Sequence, residues 1–98
     1  MENENLKDQQ SAVHDTYEDA QKQIKFSLLS KGSDFIIRFY NSDIDLDIPD
    51  TEESAKRLFK LAKESVYNSS NEDDVITIID EEMARSGIRK TIEKGTIV

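Results

Sequence analysis

The sequence predicts an α+β domain: a three-stranded antiparallel meander with one helix before it and two or three after it, in the order α-β-β-β-α-α. Three observations predict it. Apolar residues recur at helical spacing before residue 24 and again after residue 54. Between those stretches, residues 25–48 follow a period of two, interrupted by short turn segments. Pro49 stands where the alternation stops and helix-start signals begin.

Residues 1–11 read as a flexible N-terminal tail, with Leu6 as the one large apolar side chain after Met1, and 12–98 read as a single domain. Val13, Tyr17, Ala20 and Ile24 recur at intervals of four, three and four, which predicts a first helix over 11–23. Leu6 would extend that stripe towards a coiled coil, but Gln10 interrupts it. The period changes to two at Lys25, with Phe26 and Leu28 pointing one way, Lys31-Gly32-Ser33-Asp34 supplies turn chemistry, and Phe35 to Tyr40 is a β-branched and aromatic run. After the connector Asn41-Ser42, residues 43–48 alternate acid and aliphatic without a fault. Phe26, Leu28, Phe35, Ile37, Phe39, Ile44, Leu46 and Ile48 are the candidates for the core face of this sheet.

Asp50 or Thr51 can cap the next helix, and Glu52 and Glu53 suit its positive end. Ala55, Leu58, Phe59, Ala62 and Val66 form its apolar stripe, opposite Lys56, Lys60, Lys63 and Glu64. A loop follows at 68–71. Residues 72–83 read as a third helix with Val75, Ile76, Ile79 and Met83 on one face; Val75 to Ile79 also has strand propensity, and the flanking acids favour helix. Ser86-Gly87 ends it, with Ile88 and Ile92 on a short further turn before Gly95.

The chain holds 98 residues, so one core fits; 36% of them are apolar and 35% charged, which makes that core thin. There is no cysteine, which excludes a disulfide framework, a thiolate nucleophile and a zinc-thiolate site. The N-terminal stretch is acidic where a signal peptide is basic then apolar, and no apolar run approaches about 18 residues. The expectation is a cytoplasmic protein without a membrane span. Net charge is −8, which disfavours nucleic acid and anionic lipid as direct partners and favours a basic one. That charge is local: residues 41–54 carry −6 and 69–82 carry −6, whereas 25–40 carry +2, 55–68 carry +3 and 83–98 carry +3.

Asn41, Asp43, Asp45, Asp47 and Glu52 share the spacing of a calcium loop, but its sixth place, which needs glycine, is Leu46. A strand with a wet acidic face explains the same residues, with Arg38 across from Asp45 contributing about a few tenths of a kcal/mol. Residues two apart on a strand are roughly 6.6 Å from one another, close to the separation of successive phosphates along a nucleic-acid strand. The row Asp43, Asp45, Asp47 therefore reads as an imitation of a phosphate backbone. His14 has no nucleophile or thiol at a spacing that makes a catalytic grouping, and the glycines fit no phosphate-cradling loop. The expectation is no enzyme and no cofactor. Tyr17, Tyr40 and Tyr67 are amphipathic enough to anchor an interface.

The predicted order of elements on a small chain with clustered acids resembles small acidic anti-CRISPR proteins of phages, which inhibit a Cas9-type nuclease. The resemblance covers 12–98. It implies an acidic surface that occupies a basic, arginine-lined site that reads nucleic acid, carried by Asp43, Asp45, Asp47, Asp50, Glu52 and Glu53 and by Glu72, Asp73 and Asp74. The basic second helix and basic C-terminal segment depart from that pattern. The sequence thus points to a non-enzymatic inhibitor or regulator that binds a nucleic-acid-handling protein. The alternatives are an antitoxin or immunity-type protein, and a structural or accessory protein that self-associates, as a homodimer, through Leu6, Val13, Tyr17, Ala20 and Ile24.

Overall fold

The computed structural model describes residues 12–88. Four strands come first and two helices follow: β1 (Ala12–Asp19), β2 (Ile24–Lys31), β3 (Asp34–Phe39), β4 (Ile44–Ile48), α1 (Glu52–Ser65) and α2 (Glu72–Arg85). Single 3-10 turns at Ala20–Lys22 and Val66–Asn68 join β1 to β2 and α1 to the loop before α2. The sheet is an antiparallel meander in the order β1-β2-β3-β4.

The class is α+β, but two expectations are corrected. No helix forms between 12 and 23, and the sheet has four strands, so the order is β-β-β-β-α-α. An isolated helix of about twelve residues is marginal in water. The same stretch contains Val13, Thr16 and Tyr17, which suit a strand, and as β1 it pairs with β2 from Ala12↔Ser30 to Asp19↔Ile24. A bulge at His14 shifts the register between Val13 and Asp15, so residues 13 and 17 face opposite sides although four apart. Val13 points outward and is 60% exposed, while Tyr17 packs on Phe26. The bulge erased the period of two, and the remaining apolar residues fell by chance at helical intervals. The predicted tail at 1–11 and the turn bearing Ile92 lie outside the described residues.

Asp19 closes β1 by accepting from the amides of Gln21 and Lys22 at 3.1 and 3.3 Å, and Gln23 takes a left-handed φ of 56° to enter β2. Gly32 and Ser33 form the two-residue β2–β3 loop. Gly32 has φ 65° and Ser33 has a negative φ, the pattern of a type II′ turn, which matches the twist of the strands it joins. Asp43, with φ 58°, ends the β3–β4 turn, and Asp is one of the few side chains that tolerate this region.

One sheet face carries the core. Ile24, Phe26 and Leu28 of β2, Ile37 and Phe39 of β3, and Leu46 and Ile48 of β4 are buried against both helices. All the predicted core-face residues point this way, with Phe35 half-buried and Ile44 exposed at the strand ends. Phe26 is central, its ring centroid 5.2 Å from that of Phe39, 5.2 Å from that of Phe59 and 5.5 Å from that of Tyr17. Thr51 caps α1 by accepting from the amide of Ser54 at 3.1 Å, and α1 buries the expected Ala55, Leu58, Phe59 and Ala62. Asn71 caps α2 in the same manner through the amide of Asp74. Residues 75–79 are helical, with Val75, Ile79 and Met83 buried at successive turns. Gly87, φ 74°, ends α2: its amide donates to Ala84 O and the Ile88 amide to Met83 O, the paired bonds of a Schellman cap.

Candidate acidic binding surface

Because strand side chains alternate, the face of the sheet away from the helices is also defined. It carries two cross-strand rows: Thr16, Ser27, Arg38 and Asp45, and Val13, Leu29, Ile36 and Asp47. Asp45 and Asp47 are exposed there on β4, which is an edge strand. The expected pair exists: Arg38 donates from Nε to Asp45 Oδ1 at 2.9 Å and from Nη2 to Asp45 Oδ2 at 3.2 Å. The hydrogen bond to Asp45 is the main reason the Arg38 guanidinium holds its proton more tightly than usual, with the nearby Asp43 adding to it. Asp43 itself stands in the turn before the strand, so the extended part of the row is Asp45 and Asp47.

The acidic surface continues past both ends of β4. Beyond Pro49 come Asp50 and then Glu52 and Glu53 in the first turn of α1, all exposed. At the other end, the first turn of α2 is brought against the β3–β4 turn, with Asp73 and Asp74 exposed beside it. Among the described residues Asp43, Asp47, Asp50, Glu53 and Asp73 form no ion pair. Two of the lysines of α1 are engaged elsewhere: Lys56 with Glu52 on its own helix at 3.1 Å, and Lys63 with Asp15 of β1 at 3.6 Å. The helix lies on the core side of the sheet, so its cations do not neutralise Asp45 and Asp47.

Glu72 belongs to a different environment. It is the first residue of α2 and only 3% exposed. Its Oε2 accepts from the Lys25 amide at 2.9 Å, the Asn41 amide at 3.2 Å and Asn41 Nδ2 at 3.0 Å, and its Oε1 accepts from the Ser42 amide at 2.7 Å. Burial opposes the charge, yet these donors win, and the carboxyl titrates below its ordinary range. Glu72 therefore holds the β3–β4 turn against α2 and is not part of the surface a partner could touch. No local signal in the sequence separates it from Asp73 and Asp74.

The calcium-loop spacing is not reproduced in space, since Asp45 and Asp47 project in parallel from a strand instead of converging. Among the described residues no group of three or more His, Asp or Glu is placed to hold a metal ion. The His14 ring leans on Phe35, with centroids 6.0 Å apart. A shallow groove between the helices, lined by Arg57, Lys60, Leu61, Glu64, Glu82 and Ser86, mixes charges of both signs. Tyr40 donates its hydroxyl hydrogen to Ser27 Oγ at 3.0 Å, Tyr17 is half-buried, and Tyr67 is exposed. No described helix is long and apolar enough to cross a membrane. Comparison with family models, with curated proteins and with solved structures finds no match in any of the three.

Proposed function

We propose that this chain is a non-enzymatic inhibitor or regulator whose acidic surface occupies a basic, nucleic-acid-binding site on another protein. The observation that carries the reading is the placement of Asp45 and Asp47 on the outer face of an edge strand that runs into exposed acids at both ends, Asp43 with Asp73 and Asp74 on one side and Asp50, Glu52 and Glu53 on the other. An elongated strip of carboxylates, spaced along the strand by roughly 6.6 Å, suits a groove built to follow phosphates. The anti-CRISPR resemblance rests on an order of elements that the fold does not have, so it adds nothing here and the surface stands by itself. The self-association reading needed a helix over 11–23, and β1 occupies that place.

The test is a capture experiment with tagged chain at low and high salt. A variant with Asp43→Asn, Asp45→Asn and Asp47→Asn keeps side-chain size, and Asn also tolerates the left-handed backbone at 43. Capture of nucleic-acid-binding proteins is expected to fall steeply with salt, to be competed by added DNA, and to be lost by the folded variant. Capture of the same proteins by wild type and variant alike would end the proposal.

A further inference from the structure

Among the described residues two that are not glycine take a positive φ, Gln23 at 56° and Asp43 at 58°. Such a backbone disfavours a residue with a Cβ, and it persists where the surrounding structure holds it. Both residues stand against one polar node. Asn41 donates from Nδ2 to Gln23 O at 2.7 Å and to Glu72 Oε2 at 3.0 Å. The amides of Asn41 and Ser42, the two residues before Asp43, also donate to the Glu72 carboxylate, as does the Lys25 amide two residues after Gln23. Consecutive amides that converge on one anion fix the peptide units that carry them. Donors meet both oxygens of Glu72, which suits a carboxylate; a glutamine would turn its NH2 group against one of them.

We propose that Glu72, acting with Asn41, is a positioning residue for the acidic strip. Glu72 sets the left-handed backbone at Asp43, Asn41 sets that at Gln23, and the β3–β4 turn is thereby locked to the first turn of α2. Asp43 reaches the surface from the turn, Asp73 and Asp74 reach it from α2, and all three are exposed. Their mutual spacing is decided by a carboxylate that is itself 3% exposed. The base of the turn is tied separately, the Tyr40 amide donating to Lys25 O at 3.0 Å, so the tip can be released while the hairpin stays paired. That a partner reads this spacing rests on the function proposed above; the positioning does not.

The experiment is NOE spectroscopy with amide exchange on the full chain and on two variants, Glu72→Gln and Asn41→Ala. A left-handed residue gives a strong NOE between its own amide and Hα protons, which lie close together at positive φ. Wild type is expected to show this signal at Gln23 and Asp43. Glu72→Gln should lose it at Asp43 and exchange the Asn41 and Ser42 amides about tenfold faster, with the Ile37 and Ile79 amides still protected. Asn41→Ala should lose the signal at Gln23 and retain it at Asp43. Asn41 is exposed, so this variant keeps the test open should Glu72→Gln not fold. Residues that only added stability would leave both signals intact in the folded molecules. Unchanged signals in the folded variants, or a wild type without them, would overturn the positioning. Loss of partner capture in the asparagine variant bears only on the proposed function, so the two readings fail separately.

Discussion

At the scale of the residue, Glu72 shows how far a charge can be from its apparent role. It sits in an acidic block of the sequence, yet its carboxylate is buried and takes four donors from two segments 31 and 47 residues away. Its folded pKa lies below the ordinary 4.5. The stabilisation is therefore complete above pH 4.5 and disappears as pH falls through the lower folded value. Glu72→Ala leaves the part-buried amides of Lys25, Asn41 and Ser42 without their acceptor and should cost about 1–3 kcal/mol at neutral pH. Glu72→Gln should flatten the acid limb of the stability curve, because the group that titrates is gone. Urea unfolding of both variants across the acid range checks this, and an acid limb that survives in Glu72→Gln would assign it to other carboxylates.

At the scale of the element, β1 and the β2–β3 hairpin behave in opposite ways. The hairpin was visible in the sequence because its turn chemistry is local: Gly32 supplies a positive φ between two apolar runs. No atom lies within 4 Å of where a Cβ at Gly32 would stand, so a substitution there meets only backbone strain. Gly32→Ala should cost about 1 kcal/mol in thermal unfolding, since a positive φ disfavours a residue with a Cβ; an unchanged midpoint would mean that φ is not the cause. β1 was invisible because its evidence is a partner strand. Its apolar spacing fits a helix, and only the ladder to β2 shows that it is extended. β4 also carries a simpler consequence of its place at the edge. Charged side chains on an edge strand discourage pairing with another copy, so the asparagine variant should also be checked for monomeric state by light scattering.

At the scale of the whole molecule, one apolar face joins two layers. Phe26 touches aromatic rings from β1, β3 and α1, which makes it the point where the sheet and the first helix are joined. Phe26→Ala should cost about 3–5 kcal/mol, a large share of the 5–15 kcal/mol typical of a small domain. Loss of the cooperative transition near ambient temperature is expected, and a cost near 1 kcal/mol would show that the surroundings collapse into the space. The same two-layer arrangement decides the electrostatics. Placing α1 on the core face sends Lys56 and Lys63 to Glu52 and Asp15 and leaves the outer face of β4 acidic.

The sequence by itself determined what is written in short-range order: a cap for α1 at Asp50 or Thr51, the apolar stripes of α1 and α2, the Gly32 and Gly87 turns, the alternation of β4 and the pairing of Arg38 with Asp45. Each depends on residues within one element or on two strands joined by a short turn. The tertiary structure decided that residues 12–19 are a strand, that Glu72 is inside and Asp73 outside, and that Leu29 and Ile36 are sealed on the far face. Those outcomes depend on which distant segment supplies a backbone partner or excludes water, and periodicity along the chain carries no term for either.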